Sequence, residues 1–200
     1  MYSIVIPYLS TSKYIEQCKH YLKQNSALEY ELVEIVDETD VYYAFNKGVY
    51  QAKYDKVVLL NDDMIVSKNW DINFVKAIER DVYVTGHVVE HSPGVVYRLI
   101  TNEPVKNIKH DCGTSIETFD YNKFQHFADT HRVPEILHNS KGWYMPFGVF
   151  KQSFVSYPNI RKFPESANDI ILLDLVLPNL GYKFAQVKSF FYHFQGQSLK

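Results

Sequence analysis

An apolar run, KVVLL at residues 56–60, stops on three polar residues, Asn61, Asp62 and Asp63. No basic side chain follows until Lys68. Adjacent carboxylates repel one another, and a divalent cation relieves the repulsion because hard cations take oxygen ligands. The competing explanation is a turn, since Asn and Asp side chains bond to nearby backbone. A cation at such a place serves a phosphorylated ligand, by neutralising a diphosphate as it leaves. Two familiar phosphate cradles are missing from the sequence. There is no GxxxxGK followed by Ser or Thr, and no GxGxxG after the first apolar run.

These acids can reach a ligand only if the elements around them hold a strand end open. The first half of the chain alternates in the required way. SIVIPYL, residues 3–9, is a short β-branched run that halts near Pro7. SKYIEQCKHYLKQ follows with Tyr14, Ile15, Cys18, Tyr21 and Leu22 at helical spacing and Ser12 as the cap. ELVEIVD, residues 31–37, predicts a strand that ends on Asp37. Residues 41–53 place Tyr42, Phe45, Val49 and Ala52 on one helical face. KVVLLN has the near-continuous apolar character of a parallel strand buried on both faces. Residues 70–79 predict a helix and residues 81–89 a strand. Strand and helix in alternation mean βαβ units, whose ligands lie beyond the carboxyl ends of the strands. Asp37 and the Asn61–Asp63 cluster therefore share one crevice. Residues 90–140 predict loops and edge strands, among them VVYRLI at 95–100. Residues 167–181 predict a helix that Pro178 ends early, and residues 182–194 one or two strands.

Composition narrows the class. The chain has 200 residues, is 46% hydrophobic, and carries a formal charge of -2. One globular unit is expected. There is no basic excess to hold nucleic acid. The two cysteines, Cys18 and Cys112, form no disulfide framework and imply a reducing compartment. No stretch is long enough to span a membrane, and the first residues lack the basic lead of a signal peptide. The 16 Tyr, 13 Phe and 2 Trp supply apolar area for a compact core.

Taken in order, SIVIPYL, ELVEIVD and FNKGVYQAKYDKVVLLNDDMIVSKNW resemble the nucleotide-sugar-binding half of the family 2 glycosyltransferases. WYMPFGVFKQSF, ANDIILLDLVLPNLGYKF and YHFQGQS resemble the acceptor-site segment, the acidic helix and the closing His-x-x-Gly-x-Ser of that family. The resemblance runs nearly end to end, with a weak middle. It implies a short, inverting member with the GT-A fold, an α/β architecture with a mostly parallel central sheet flanked by helices. It implies one catalytic domain over 1–200, with about 1–90 binding the nucleotide sugar and about 91–200 the acceptor. The activity implied is that of a metal-dependent glycosyltransferase (EC 2.4 class), which moves a sugar from a nucleotide-diphosphate donor to an acceptor hydroxyl.

The residue roles follow from the same resemblance. Asp63 takes the last position of a DxD-type motif and binds the metal, Mn²⁺ or Mg²⁺. Asn61 takes the first position, a departure from the usual acid, and faces ribose or metal, with Asp62 able to compensate. Asp37 bonds the nucleotide base, Asn46 of the Asn-x-Gly helix braces the site, and Pro7 closes the opening strand beside the donor. His193 completes the metal or diphosphate site, and Gly196 and Ser198 shape the loop after it. Asp169 is the candidate general base, with Asp174 the second candidate. Trp143, Tyr144 and Phe147 are read either as an acceptor platform or as core. The acceptor classes left open are a glycan, a lipid carrier and a protein, and the implied location is the cytoplasm, with contact at the inner membrane face and a homodimer as open options.

Rival readings remain. A nucleotidyltransferase shares the metal and diphosphate chemistry but carries a glycine-rich basic loop after its first strand, where PYLSTSKYIEQ has only Lys13. A non-catalytic nucleotide- or carbohydrate-binding protein would keep the fold alone. HVVEH at 87–91 has the wrong order for a zinc protease and sits in a strand-like segment. His110, Asp111 and Cys112 are too close in sequence for a catalytic relay.

Overall fold

The computed structural model describes residues 1–97, 102, 104–139, 145–157, 169 and 171–194. The opening strand β1 (Tyr2–Tyr8) is buried along almost its whole length. It pairs in parallel with β2 (Tyr30–Val36) on one side and with β3 (Lys56–Leu59) on the other. Helix α1 (Ile15–Asn25) connects β1 to β2, and helix α2 (Val41–Gln51) connects β2 to β3. Short β4 (Met64–Val66) follows β3 directly, then helix α3 (Trp70–Ala77) and strand β5 (Val82–Glu90), every residue of which is buried. Beyond it come β6 (Val95–Tyr97), β7 (Pro104–Lys106), β8 (Ile108–Lys109), α4 (Tyr121–Thr130), β9 (Ile136–Asn139) and β10 (Phe147–Phe150). A π-helical turn, Leu172–Val176, continues into a single α-turn, Leu177–Asn179, and the long β11 (Lys183–His193) closes the described part.

The main sheet runs β2-β1-β3-β10-β5-β11-β4. It is mixed. Strands β1, β2 and β3 are parallel, β10 runs against both β3 and β5, and β4 runs against β11. The alternation expected in the first half is present, with boundaries displaced by a few residues. One expectation is corrected. Tyr121–Thr130 is a helix, capped by the Asp120 carboxylate on the Lys123 N–H, where only loops and edge strands were expected. The described helical segment ends at Asn179, directly after Pro178 and short of residue 181, in keeping with the early end expected there. Residues 183–193 form one strand, within the one or two expected over 182–194, and its register shifts between Gln186 and Phe190.

Aromatic side chains fill the interior. Trp70, Phe74 and Phe191 meet edge to face on one side of the sheet. Phe190, Tyr192 and Phe194 join Tyr14 and Phe124 in a second cluster. Successive residues of β11 therefore serve different clusters, as the two-residue period of a strand requires. Phe147 is fully buried with its ring on Tyr83, which fixes it as core and removes it from an acceptor platform. Trp143 and Tyr144 lie outside the described residues. Cys18 and Cys112 are both buried free thiols. Among the described residues no helix is long and apolar enough to cross a membrane.

Helix α2 starts where the Asp40 carboxylate accepts the N–H groups of Tyr42 and Tyr43, each at 3.0 Å. It lies so close on β1 that a Cβ at Gly48 would sit 2.1 Å from Cγ1 of Val5. This contact explains the glycine of the Asn46-Lys47-Gly48 segment: only the absent side chain allows the approach. Gly48→Ala is expected to cost about 1–3 kcal/mol in urea unfolding through overpacking. In the double variant with Val5→Ala part of that loss returns, and a strictly additive double variant would show that the clash is not the cause.

Candidate functional site

The carboxyl ends of β1, β2 and β3 lie along one edge of the sheet, because the three strands are parallel. Pro7 opens that edge. The Val5 carbonyl accepts the Leu60 N–H at 3.0 Å, so the residue two further on also turns its backbone nitrogen toward the β3 side. That residue is Pro7, which has no hydrogen to donate. Cα pairing with β3 stops at Val5–Leu59, whereas pairing with β2 runs on to Tyr8–Val36. The gap so made lies beside Asn61. Pro7 itself is buried within β1.

Two acids clasp the loop that leaves β1. Asp37, exposed and with φ of 57° just past β2, accepts the Ser10 N–H at 2.7 Å. Asp62 accepts the Ser12 hydroxyl. Ser12 thus gives its hydroxyl proton to a strand-end acid, while its oxygen accepts the Tyr14 N–H at 3.2 Å; the cap position of α1 falls on Tyr14, two residues past the Ser12 expected there. Burial raises the Asp62 carboxyl to about 6, against the pull of the Ser12 hydroxyl. Asn61 is half-buried, and its carbonyl lies 4.0 Å from the Cys18 thiol.

Asp63 is wholly buried and meets the late histidine. Strand β11 pairs His193 with Met64, and the Phe194 N–H donates to the Asp63 carbonyl at 3.1 Å. The side chains follow, with His193 Nε2 at 3.4 Å from Asp63 Oδ2. The other ring nitrogen, Nδ1, lies 2.6 Å from Glu90 Oε1 at the end of β5. The imidazole thus stands between two buried carboxylates drawn from strands on either side of β11. Burial alone would lower its pKa, but the charges of Asp63 and Glu90 and their hydrogen bonds overcome that and push it up to about 10. Glu90 was not singled out in the sequence. Its apolar strand context and its place between two histidines in HVVEH gave no hint of a partner 103 residues away.

Asp169 belongs to a second group. Its carboxyl bonds the hydroxyls of Tyr157 and Tyr42, and its Oδ1 is closed off from solvent with no hydrogen-bond partner among the described residues. Burial raises it to about 7, although the two tyrosine hydroxyls pull it down. Asn46 braces this group: its amide donates to the Tyr157 carbonyl at 3.2 Å and accepts the Tyr157 N–H at 2.8 Å. The Tyr157 hydroxyl also reaches Met145 Sδ at 3.5 Å, two residues before Phe147, which pairs with Leu59 at the carboxyl end of β3. Asp169 therefore stands on the same edge as the strand-end acids. Asp174 is buried within the π-helical turn and is not on a solvated face. Asn168, Gly196 and Ser198 lie outside the described residues. Among the described residues no group of three or more His, Cys, Asp or Glu side chains is arranged to hold a metal ion.

Solved structures share this architecture. GalNAc-T7, crystallised with UDP, GalNAc and Mn²⁺, matches with a TM-score of 0.65 at 11% identity, over 96% of this chain and 43% of that one. A nucleotidyl transferase from Methanothermobacter thermautotroptrophicus matches with a TM-score of 0.50 at 10% identity, over 100% of this chain and 90% of that one. At these identities the likeness is one of fold: α/β, with a mixed central sheet flanked by helices, broadly GT-A- and Rossmann-like. The sheet is more mixed than the mostly parallel one expected. No family model and no curated protein matches the sequence.

Two pH dependences follow. The folded state holds the His193 proton more tightly than the unfolded chain does. The stability this charge contributes is complete below about pH 6.5 and is lost as pH rises toward about 10. In metal-free urea melts, the deficit of His193→Gln relative to the parent should be largest near pH 6 and shrink by pH 10. Asp169 likewise keeps a proton that the unfolded chain releases from about pH 3.8, so its contribution falls as pH rises toward about 7. Asp169→Asn should therefore gain stability relative to the parent across that window, and a pH-independent difference would contradict the burial of the carboxyl.

Proposed function

We propose that this chain transfers a sugar from a nucleotide-diphosphate donor to an acceptor hydroxyl, with inversion at the anomeric carbon. The observation that carries the reading is the meeting of Asp63 and His193 at the carboxyl edge of a parallel β1–β3 unit, where α/β sheets bind their ligands. The fold shared with a structure holding UDP, GalNAc and Mn²⁺ supports it. Placement within family 2 rests on the sequence motifs.

The residues present fit a divalent cation. Two donors that each lie about 2.0–2.2 Å from one ion are roughly 3.0–3.5 Å apart in octahedral or tetrahedral geometry. The separation of Asp63 Oδ2 from His193 Nε2 is 3.4 Å. Asp63 and His193 would hold Mn²⁺ or Mg²⁺, with remaining positions filled by the donor and water. When bound, the ion neutralises charge that builds on the departing diphosphate. To ligate, His193 first gives up its Nε2 proton.

The chain's own groups do the rest. Asp37 keeps one carboxylate oxygen for the nucleotide base after the Ser10 N–H has taken the other. Asn61 faces the ribose from the gap beyond Leu60, and Asp62 holds the loop over it through Ser12. Asp169 takes the proton from the acceptor hydroxyl as that oxygen forms its bond to the anomeric carbon, while the bond from that carbon to the diphosphate oxygen breaks. A carboxyl near 7 is matched to this task at neutral pH. The Tyr42 and Tyr157 hydroxyls hold it in place, and Asn46 holds Tyr157. Asp174 is the second candidate for the base. Attack opposite the leaving group needs no sugar-enzyme intermediate. The domain roles follow: about 1–90 takes the donor, about 91–200 the acceptor, which is a glycan, a lipid carrier or a protein. The proposed location is the cytoplasm, with the inner membrane face as the meeting place only for the lipid-carrier option.

A second reading, formation of the activated sugar by nucleotidyl transfer, is favoured by the full-length match to a nucleotidyl transferase fold. The two separate in one assay. A thermal-shift screen over nucleotide sugars with and without Mn²⁺ identifies the donor. With that donor, Asp63→Asn should abolish metal-dependent transfer and donor hydrolysis, while Asp169→Asn keeps donor binding and loses transfer by about 10²-fold or more. Full transfer activity in Asp169→Asn would remove it as the base. Pyrophosphate release from a nucleoside triphosphate and a sugar phosphate would move the assignment to the second reading.

A further inference from the structure

We propose that Glu90 is a positioning residue for His193, fixing the ring so that Nε2 is presented to the cation beside Asp63. This deepens the reading above and rests on it. Glu90 ends β5, is 2% exposed, and lies on the strand next to β11, where the Tyr192–Val89 pairing sets it beside His193. Its Oε1 is 2.6 Å from Nδ1, the shorter of the two contacts the ring makes. Its own backbone is held, since its carbonyl accepts the His110 N–H at 2.9 Å and it pairs with Lys109 of β8. A carboxylate on one ring nitrogen keeps the proton there and turns the other nitrogen's lone pair outward, raising its basicity toward a metal. The 3.4 Å between Nε2 and Asp63 Oδ2 is long for a hydrogen bond, and it is the width two ligands of one ion need.

Glu90 thus acts through His193 and touches neither donor nor acceptor. The test is Mn²⁺ affinity of the full chain, read as free Mn²⁺ by electron paramagnetic resonance at one fixed pH, with circular dichroism melts in the absence of metal to show that each variant is folded. Glu90→Ala should weaken Mn²⁺ binding by about 10- to 100-fold. Glu90→Gln, whose amide oxygen still accepts from Nδ1, should lose less than Glu90→Ala. Glu90→Asp, which keeps the charge but withdraws it by one methylene, should also bind more weakly than the parent, and it serves if the alanine variant fails to fold. Parent-like Mn²⁺ affinity in Glu90→Ala or Glu90→Asp, with binding lost in His193→Gln, overturns the role of Glu90 and leaves the cation site standing. Parent-like affinity in His193→Gln overturns the cation site and the role of Glu90 together.

Discussion

Strand β11 lies between β4 and β5, and its register sets an imidazole between two buried carboxylates. His193 pairs with Met64 on one side and follows Tyr192, the partner of Val89, on the other. A slip of one residue would turn His193 to the opposite face and leave Asp63 and Glu90 buried without the ring between them. Buried carboxylates without a partner are costly. The register is defended by large side chains on both faces, with Phe191 against Trp70 and Phe74, and Phe190 and Tyr192 in the second cluster.

The edge of the sheet beside this pair is shaped by one missing hydrogen. Pro7 ends the β1–β3 ladder two residues after Val5, while β2 keeps its hold on β1 to the end. The loop leaving β1 is then tied at Ser10 to Asp37 and at Ser12 to Asp62. Two acids far apart in the sequence, Asp37 and Asp62, are in this way drawn to one side of the fold. On the same edge, Asn46 fixes Tyr157, and Tyr157 with Tyr42 holds the Asp169 carboxyl.

Much of the frame was legible because its signals are local. The apolar runs at 3–9 and 56–60 and the helical spacing of Tyr42, Phe45 and Val49 repeat over a few residues, and the observed β1, β3 and α2 follow them. Gly48 and Pro7 also act locally, through a missing Cβ and a missing N–H. Helix α4 was not legible. Only Phe124 and Ala128 of Tyr121–Thr130 are buried, too few to show a helical period against polar neighbours. The cap at Asp120 was the one available signal.

The residue types and their order determined that acids stand at strand ends, that an alternating α/β frame carries them, and that a closing histidine is present. Tertiary structure decided which of them meet. Asp63 and His193 are 130 residues apart, and only strand pairing brings their side chains to 3.4 Å. Glu90 and Asp169 took their character the same way, one from a neighbouring strand and the other from two tyrosines of distant segments. Burial and charge act through space, so the partners that shift a carboxyl or an imidazole are set by the fold and leave no mark on the residues beside them in the chain.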